Sequence, residues 1–357
     1  MKKERVELKI NIAEAGCVTD CWIFTRLAIL KTSEYYEDWV ASHYPLYADP
    51  DSNFFFGETS TILPAYHDAI LERRQINLYT MGENEVVEKA KEILAEGYYL
   101  VMTVKIPNAV DFYHEVLLYG FDDEKECFLT ADVQNRLFQP VIYDYSYIRD
   151  SFSEVKQHYK ENKYMGLGNS VYYQYPLTAM RLKKNYNPEG CPFEAYLKLD
   201  DEWNGVCHRK GSLQDMKERN ETGIIYRGIN CLYALENMLS REIAGEPFPT
   251  SFRGLSSAAK KISEHQKFIL ISMRYLRQKW GAVMNERAEF CIREYENCCR
   301  TVEKWSNMVL KYEYTRDIEL LQRIVPEIAE LYEQEYESLD LFLHKSIEWV
   351  EFNQRFI

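Results

Sequence analysis

The sequence predicts an α+β fold in two parts, an N-terminal mixed domain and a C-terminal helical domain. Three observations carry this. Between Tyr98 and Tyr143, short apolar runs alternate with polar, turn-forming segments, as in an antiparallel sheet. From about Gly223 onward, apolar residues recur at helical spacing over long stretches. Between these regions, Pro188, Gly190, Pro192, Gly205 and Gly211 lie among charged residues and mark a connecting segment. The expected organisation is a mixed α/β domain over 1–185, a connecting region over 186–222 and a helical domain over 223–357.

The elements follow in chain order. Cys21 to Lys31 is an apolar run with Thr19 and Asp20 before it, both good capping residues, so a helix is expected to start there. Residues 83–96 have the spacing of an amphipathic helix, and Gly97 is placed to end it. Strands are expected over Tyr98–Ile106, Glu115–Tyr119, Cys127–Thr130, Leu137–Tyr143 and Tyr172–Leu182. The polar run 121–126 reads as a hairpin turn. Helices are expected over 224–244, 255–279, 282–312 and 317–352, with Gly245 to Pro249 separating the first two.

The chain has 357 residues, more than one core usually holds, and two domains are expected on size alone. Its formal charge of −13 argues against nucleic-acid binding and favours cationic partners such as amines. No secretory signal is visible, and no apolar run approaches the ~18 residues that span a bilayer. A cytoplasmic location and no membrane association are therefore expected. The nine cysteines show no metal-ligand spacing, and the seven histidines are well separated, so no metal and no cofactor are expected. Cys291, Cys298 and Cys299 fall on helical patterns and read as packing residues.

Three residues in order carry chemistry. Cys21 opens a helix, where the dipole and unpaired N–H groups favour a thiolate. His114 opens a strand and can take the thiol proton, then return it to a leaving group. Asp132 ends the following strand, and across the 121–126 hairpin it can meet His114 and orient its ring. Singly, each has a plain structural reading as a packed thiol, a satisfied histidine or a turn residue. Together they point to acyl transfer through a cysteine.

The run Cys21-Trp22-Ile23-Phe24-Thr25 resembles the Cys-Trp-Ala-Phe-Ser segment at the nucleophile of papain-like cysteine peptidases. His114-Glu115-Val116-Leu117-Leu118-Tyr119-Gly120-Phe121 resembles their His-Ala-Val strand with its later Gly-Tyr. Aspartate at the third position, and the short spacing from Cys21 to His114, are nearer the compact bacterial C39-like branch. The resemblance covers about the first 180 residues. It implies a papain-like fold, with the cysteine helix packed on an antiparallel sheet, and Cys21, His114 and Asp132 as a triad. With a helical domain following, the chain also resembles the biosynthetic branch typified by the butirosin acyltransferase, and the amide-forming cysteine-protease homologues of closthioamide-type biosynthesis.

Two positions depart from the peptidase pattern. The glutamine expected six residues before the nucleophile is Ala15, so the oxyanion donors must differ; the Cys21 backbone N–H and the Asn11 side chain are the candidates. Cys17, four residues before Cys21, is the rival nucleophile and ranks second because the Trp-x-Phe register follows Cys21. The resemblance implies an acyl carrier protein as donor partner and a small amine or diamine as acceptor. Lys183-Lys184 and Lys260-Lys261 are compositional candidates for carrier docking, against a plain reading as solvated helix faces. Hydrolysis by the same triad, and a non-catalytic binding role for the fold, are the alternatives.

Overall fold

A computed structural model describes residues 4–12, 19–48, 54–56, 64–76, 81–83, 85–105, 113–134, 137–161, 177–204, 226–246 and 254–356. The protein is mixed α+β and divides into two compact units, 1–36 with 59–186, and 37–58 with 187–357.

The first unit is built on a sheet of seven strands among the described residues. They are β1 (Arg5–Glu7), β4 (Leu71–Ile76), β5 (Tyr99–Lys105), β6 (Tyr113–Asp122), β7 (Cys127–Gln134), β8 (Leu137–Asp144) and β9 (Leu177–Leu182). The order is β4-β9-β5-β6-β7-β8, with β1 paired to the end of β6, and every recorded pairing is antiparallel. Helices α1 (Cys21–Leu30), α3 (Glu85–Ala95) and α4 (Tyr145–Glu161) accompany it.

Sequence explains most of these elements. α3 buries Val86, Val87, Ala90, Ile93 and Leu94, an i, i+1, i+4, i+7, i+8 stripe. Gly97 follows at φ 83°, the left-handed position that ends the helix. α3 and α4 pack with alternate residues of the sheet, Leu100, Met102, Val104, Val116, Leu118 and Phe128, to form the core. The hairpin turn after β6 carries Glu126 at φ 50°. Pro140 lies on β8, an edge strand, where its missing N–H costs no ladder bond.

The second unit holds α2 (Tyr36–Ser42, its first residue in the first unit), β2 (Leu46–Ala48), β3 (Phe54–Phe56), α5 (Cys191–Asn204), β10 (Tyr226–Arg227), α6 (Cys231–Ala244), α7 (Leu255–Lys279), α8 (Arg287–Thr315), α9 (Glu319–Asp340) and α10 (Trp349–Phe356). The strands form a small sheet in the order β10-β2-β3.

The expected boundaries require correction. Residues 37–58 belong with the helical unit, not with the N-terminal domain. Long-range bonds hold them there: Ser272 Oγ donates to the Ala41 carbonyl at 2.7 Å, Lys261 Nζ to the Phe54 carbonyl at 2.6 Å, and Tyr275 OH to Asp38 Oδ1 at 2.7 Å. The 186–222 region is not wholly a connection either. Its described part contains α5, whose Ala195 and Leu199 are fully buried; residues 205–222 lie outside the described residues. The 317–352 helix ends at Asp340 in a π-turn over Leu341–Lys345, where Ser346 Oγ donates to the Leu341 carbonyl at 2.9 Å.

Candidate active site

α1 starts at Cys21. Asp20 holds the N-cap position, and its carbonyl accepts the N–H groups of Ile23 at 2.9 Å and Phe24 at 3.1 Å, while its side chain makes no cap bond. Every residue from Trp22 to Leu30 is buried, so α1 is enclosed on all sides. Cys21 is partly exposed, whereas the other described cysteines, Cys127, Cys191, Cys231, Cys291, Cys298 and Cys299, are buried. Burial pushes the thiols of Cys231 and Cys298 up and that of Cys299 to about 12, which keeps them protonated and inert. Cys291, Cys298 and Cys299 are thus packing residues, as the helical pattern indicated. Cys17 and Ala15 lie outside the described residues.

His114 and Asp132 meet. His114 Nε2 lies 2.9 Å from Asp132 Oδ1, a close contact without the alignment of a hydrogen bond. The geometry follows from register. The β6–β7 ladder ends at Leu117↔Ala131. Asp132 is one residue past that pair and His114 three before it, so both project from the same face, diagonally, at the end of the ladder.

Asp132 is 1 % exposed, and its carboxylate accepts two hydrogen bonds. The Val133 N–H donates to Oδ1 at 2.6 Å, and Tyr143 OH to Oδ2 at 2.5 Å. Burial, with the bond to Asp132, pushes the Tyr143 phenol well above its ordinary range, so it remains a donor. Tyr143 is a site residue that the sequence reading missed; as one of several strand tyrosines it carried no distinguishing signal.

Two contacts orient α1 against the sheet. Phe24 packs on Phe138 with ring centroids 4.4 Å apart, and Phe138 pairs with Val133, the neighbour of Asp132. Arg26 pairs with Glu115, the neighbour of His114, with side chains 3 % and 7 % exposed. Cys21 precedes Arg26 by about 7.5 Å of helix. Glu115 faces α1, so by the pleat His114 projects from the opposite face.

Other expectations fare differently. The Asn11 N–H donates to the Ala28 carbonyl at 3.3 Å, about two turns or roughly 10 Å along α1 from Cys21. Its expected oxyanion role thus has no geometric support, and the N–H groups at the start of α1 are the better donors. The Lys260-Lys261 patch is corrected: Lys261 is 3 % exposed and bonded to a backbone carbonyl. Lys183 also donates to a backbone carbonyl, that of Asp68. Arg26 and Glu115 had a readable signal, since each is a lone charge in an otherwise apolar run and their signs are opposite. Among the described residues no helix is long and apolar enough to cross a membrane. No protein-family model and no curated protein sequence matches the chain.

Proposed function

We propose that this protein is a cysteine-dependent acyltransferase of papain-like type that forms an amide from a carrier-protein thioester and a small amine or diamine. The observation that supports the reading is the buried Asp132 carboxylate, which accepts two hydrogen bonds and lies in contact with His114. With Nε2 directed at the carboxylate, Nδ1 is the ring nitrogen that exchanges a proton with the thiol.

The reaction has two halves. Cys21 gives its proton to His114 and attacks the acyl carbonyl. The carbon–sulfur bond to the carrier breaks, and the departing carrier thiolate takes the proton from the imidazolium. The amine then attacks the acyl-Cys21 carbonyl and passes its proton to His114 as the Cys21 thiolate leaves. Asp132 stabilises the imidazolium in both halves and fixes the tautomer between them. Backbone N–H groups at the start of α1 meet the oxyanion. An acidic chain of net charge −13 favours a cationic acceptor.

Incubating the protein with an acyl thioester, with and without a diamine, and resolving the products by mass spectrometry tests this. Amide in the diamine tube, absent with Cys21→Ala, is expected. Free acid alone in both tubes would make the protein a hydrolase, and no turnover in either would make it a binding protein on this fold.

A further inference from the structure

We infer that Arg26 and Glu115 are a positioning pair, which sets the register of the Cys21 helix against the His114 strand and carries it to the nucleophile through the Thr25 hydroxyl. The inference rests on the reading of Cys21 as nucleophile and His114 as base.

The bonds form one line. Glu115 follows His114 on β6 and takes the Arg26 guanidinium with both oxygens, Nη1 to Oε2 and Nη2 to Oε1, the latter at 3.3 Å. Arg26 Nη1 also donates to Thr25 Oγ1 at 2.8 Å. Thr25 Oγ1 donates in turn to the Cys21 carbonyl at 2.7 Å. One end of the chain of contacts is the residue beside the base, and the other is the backbone of the nucleophile.

Stability alone does not account for the pair. Removing two opposite charges from water costs about as much as their attraction returns, and apolar residues of similar volume serve a core as well or better. A forked guanidinium–carboxylate contact supplies geometry instead. Apolar packing of α1 on β6 leaves sliding along the strand cheap; a two-point contact does not. His114 is covalently next to Glu115, so a slide of α1 along β6 by a fraction of a turn moves the Cys21 end of the helix relative to the imidazole. Misplacement by about 1 Å is enough to cost a reaction of this kind ~10²-fold.

The test is peptide-resolved alkylation of Cys21 by iodoacetamide across pH 5–9, with thermal melting measured in parallel. The variants are Arg26→Met/Glu115→Leu, which leaves no unpaired buried charge, and Thr25→Val, which keeps the ion pair and the side-chain shape. The double variant is expected to melt no lower than wild type yet to alkylate at least about tenfold more slowly at pH 7, with the rate rising only at alkaline pH. Thr25→Val should fall in between. Wild-type rates and pH profiles in both variants would overturn the positioning role while leaving the triad intact. If Thr25→Val alone folds, its profile decides in the same way. A wild-type profile that His114→Ala does not alter would overturn the triad, and the positioning role with it.

Discussion

Asp132→Leu and Asp132→Asn are expected to separate the electrostatic from the orienting role of the third residue. The Val133 N–H and Tyr143 OH donate to the carboxylate, and His114 Nε2 lies in contact with it at 2.9 Å. Leucine leaves all three facing a methyl group in a site 1 % exposed, at a cost of about 3–5 kcal/mol in stability, the range for breaking a buried charged contact. Tyr143 and His114 recover part of this by turning towards water. Asparagine keeps one oxygen for His114 and Val133 and turns its amide to the Tyr143 oxygen, which can also accept, so its cost is about 1–2 kcal/mol. Reactivity should follow the same order. Without an orienting acceptor the imidazole loses its tautomer and direction, and Cys21 acylation should fall ~10²-fold or more with leucine. With asparagine it should fall less than with leucine, because a side-chain oxygen remains to orient the imidazole, as in Cys-His-Asn sites. Urea denaturation gives the stabilities, and the initial rate of acyl-Cys21 formation gives the reactivity. Equal losses for the two variants, or wild-type rates for both, would refute the assignment of Asp132 as the residue that orients His114.

Other consequences are independent of that experiment. Tyr143→Phe removes the 2.5 Å bond to Oδ2 and should lower stability by about 1–2 kcal/mol, with a smaller loss of Cys21 reactivity than Asp132→Leu in the same assays. At Gly120, beside a bulge in the β6–β7 ladder, an added Cβ would stand 2.4 Å from the Val6 carbonyl oxygen and 3.1 Å from Glu7 Cα. Gly120→Ala should therefore displace β1 and lower stability by about 1–3 kcal/mol, read as a lower denaturation midpoint. Glu335 is buried in the helical unit between Gln266 and Tyr295, and burial raises its carboxyl from 4.5 to about 8. The folded state then holds a proton that the unfolded chain releases, so stability falls as pH rises from about 4.5 to about 8. At ~1.4 kcal/mol per unit the loss amounts to several kcal/mol, and the difference in unfolding free energy between wild type and Glu335→Gln, measured at pH 5 and pH 8, should show it. The difference is the proper reading, because burial holds His43 neutral to about 3, which gives the opposite slope below 6.5.

What was legible in the sequence was local. The helix from Cys21, the α3 stripe with Gly97 and the β6–β7 hairpin each state their geometry within a short stretch of chain, through periodicity and turn chemistry. His114 and Asp132 were legible as a pair because both bracket one hairpin. Residues 37–58 were assigned to the wrong unit because nothing local announces partners such as Ser272 and Tyr275, more than two hundred residues away. The α5 segment reads as a connection because Pro188, Gly190, Pro192, Gly205 and Gly211 lie in and around it among charged residues. Yet Pro192 is the second residue of that helix, where a missing N–H is harmless and the locked φ is favourable. α4 was missed because Tyr145, Tyr147, Ile148 and Phe152 are strand-favouring residues, although Ile148, Ser151, Phe152 and Val155 fall on one buried helical face. The supporting residues of the site, Tyr143, Thr25, Arg26 and Glu115, act across strands and helices, and only the opposed lone charges of the last two leave a trace in the sequence.

The central claim is that Cys21 carries the acyl group. Reaction with a model acyl thioester, quenched in acid and followed by peptide-resolved mass spectrometry, tests it most directly. An acyl mass is expected on the Cys21 peptide, lost on adding a diamine as amide accumulates, and formed ~10²-fold or more slowly in His114→Ala. An adduct on Cys17 instead, or on no cysteine while amide still forms, would contradict it.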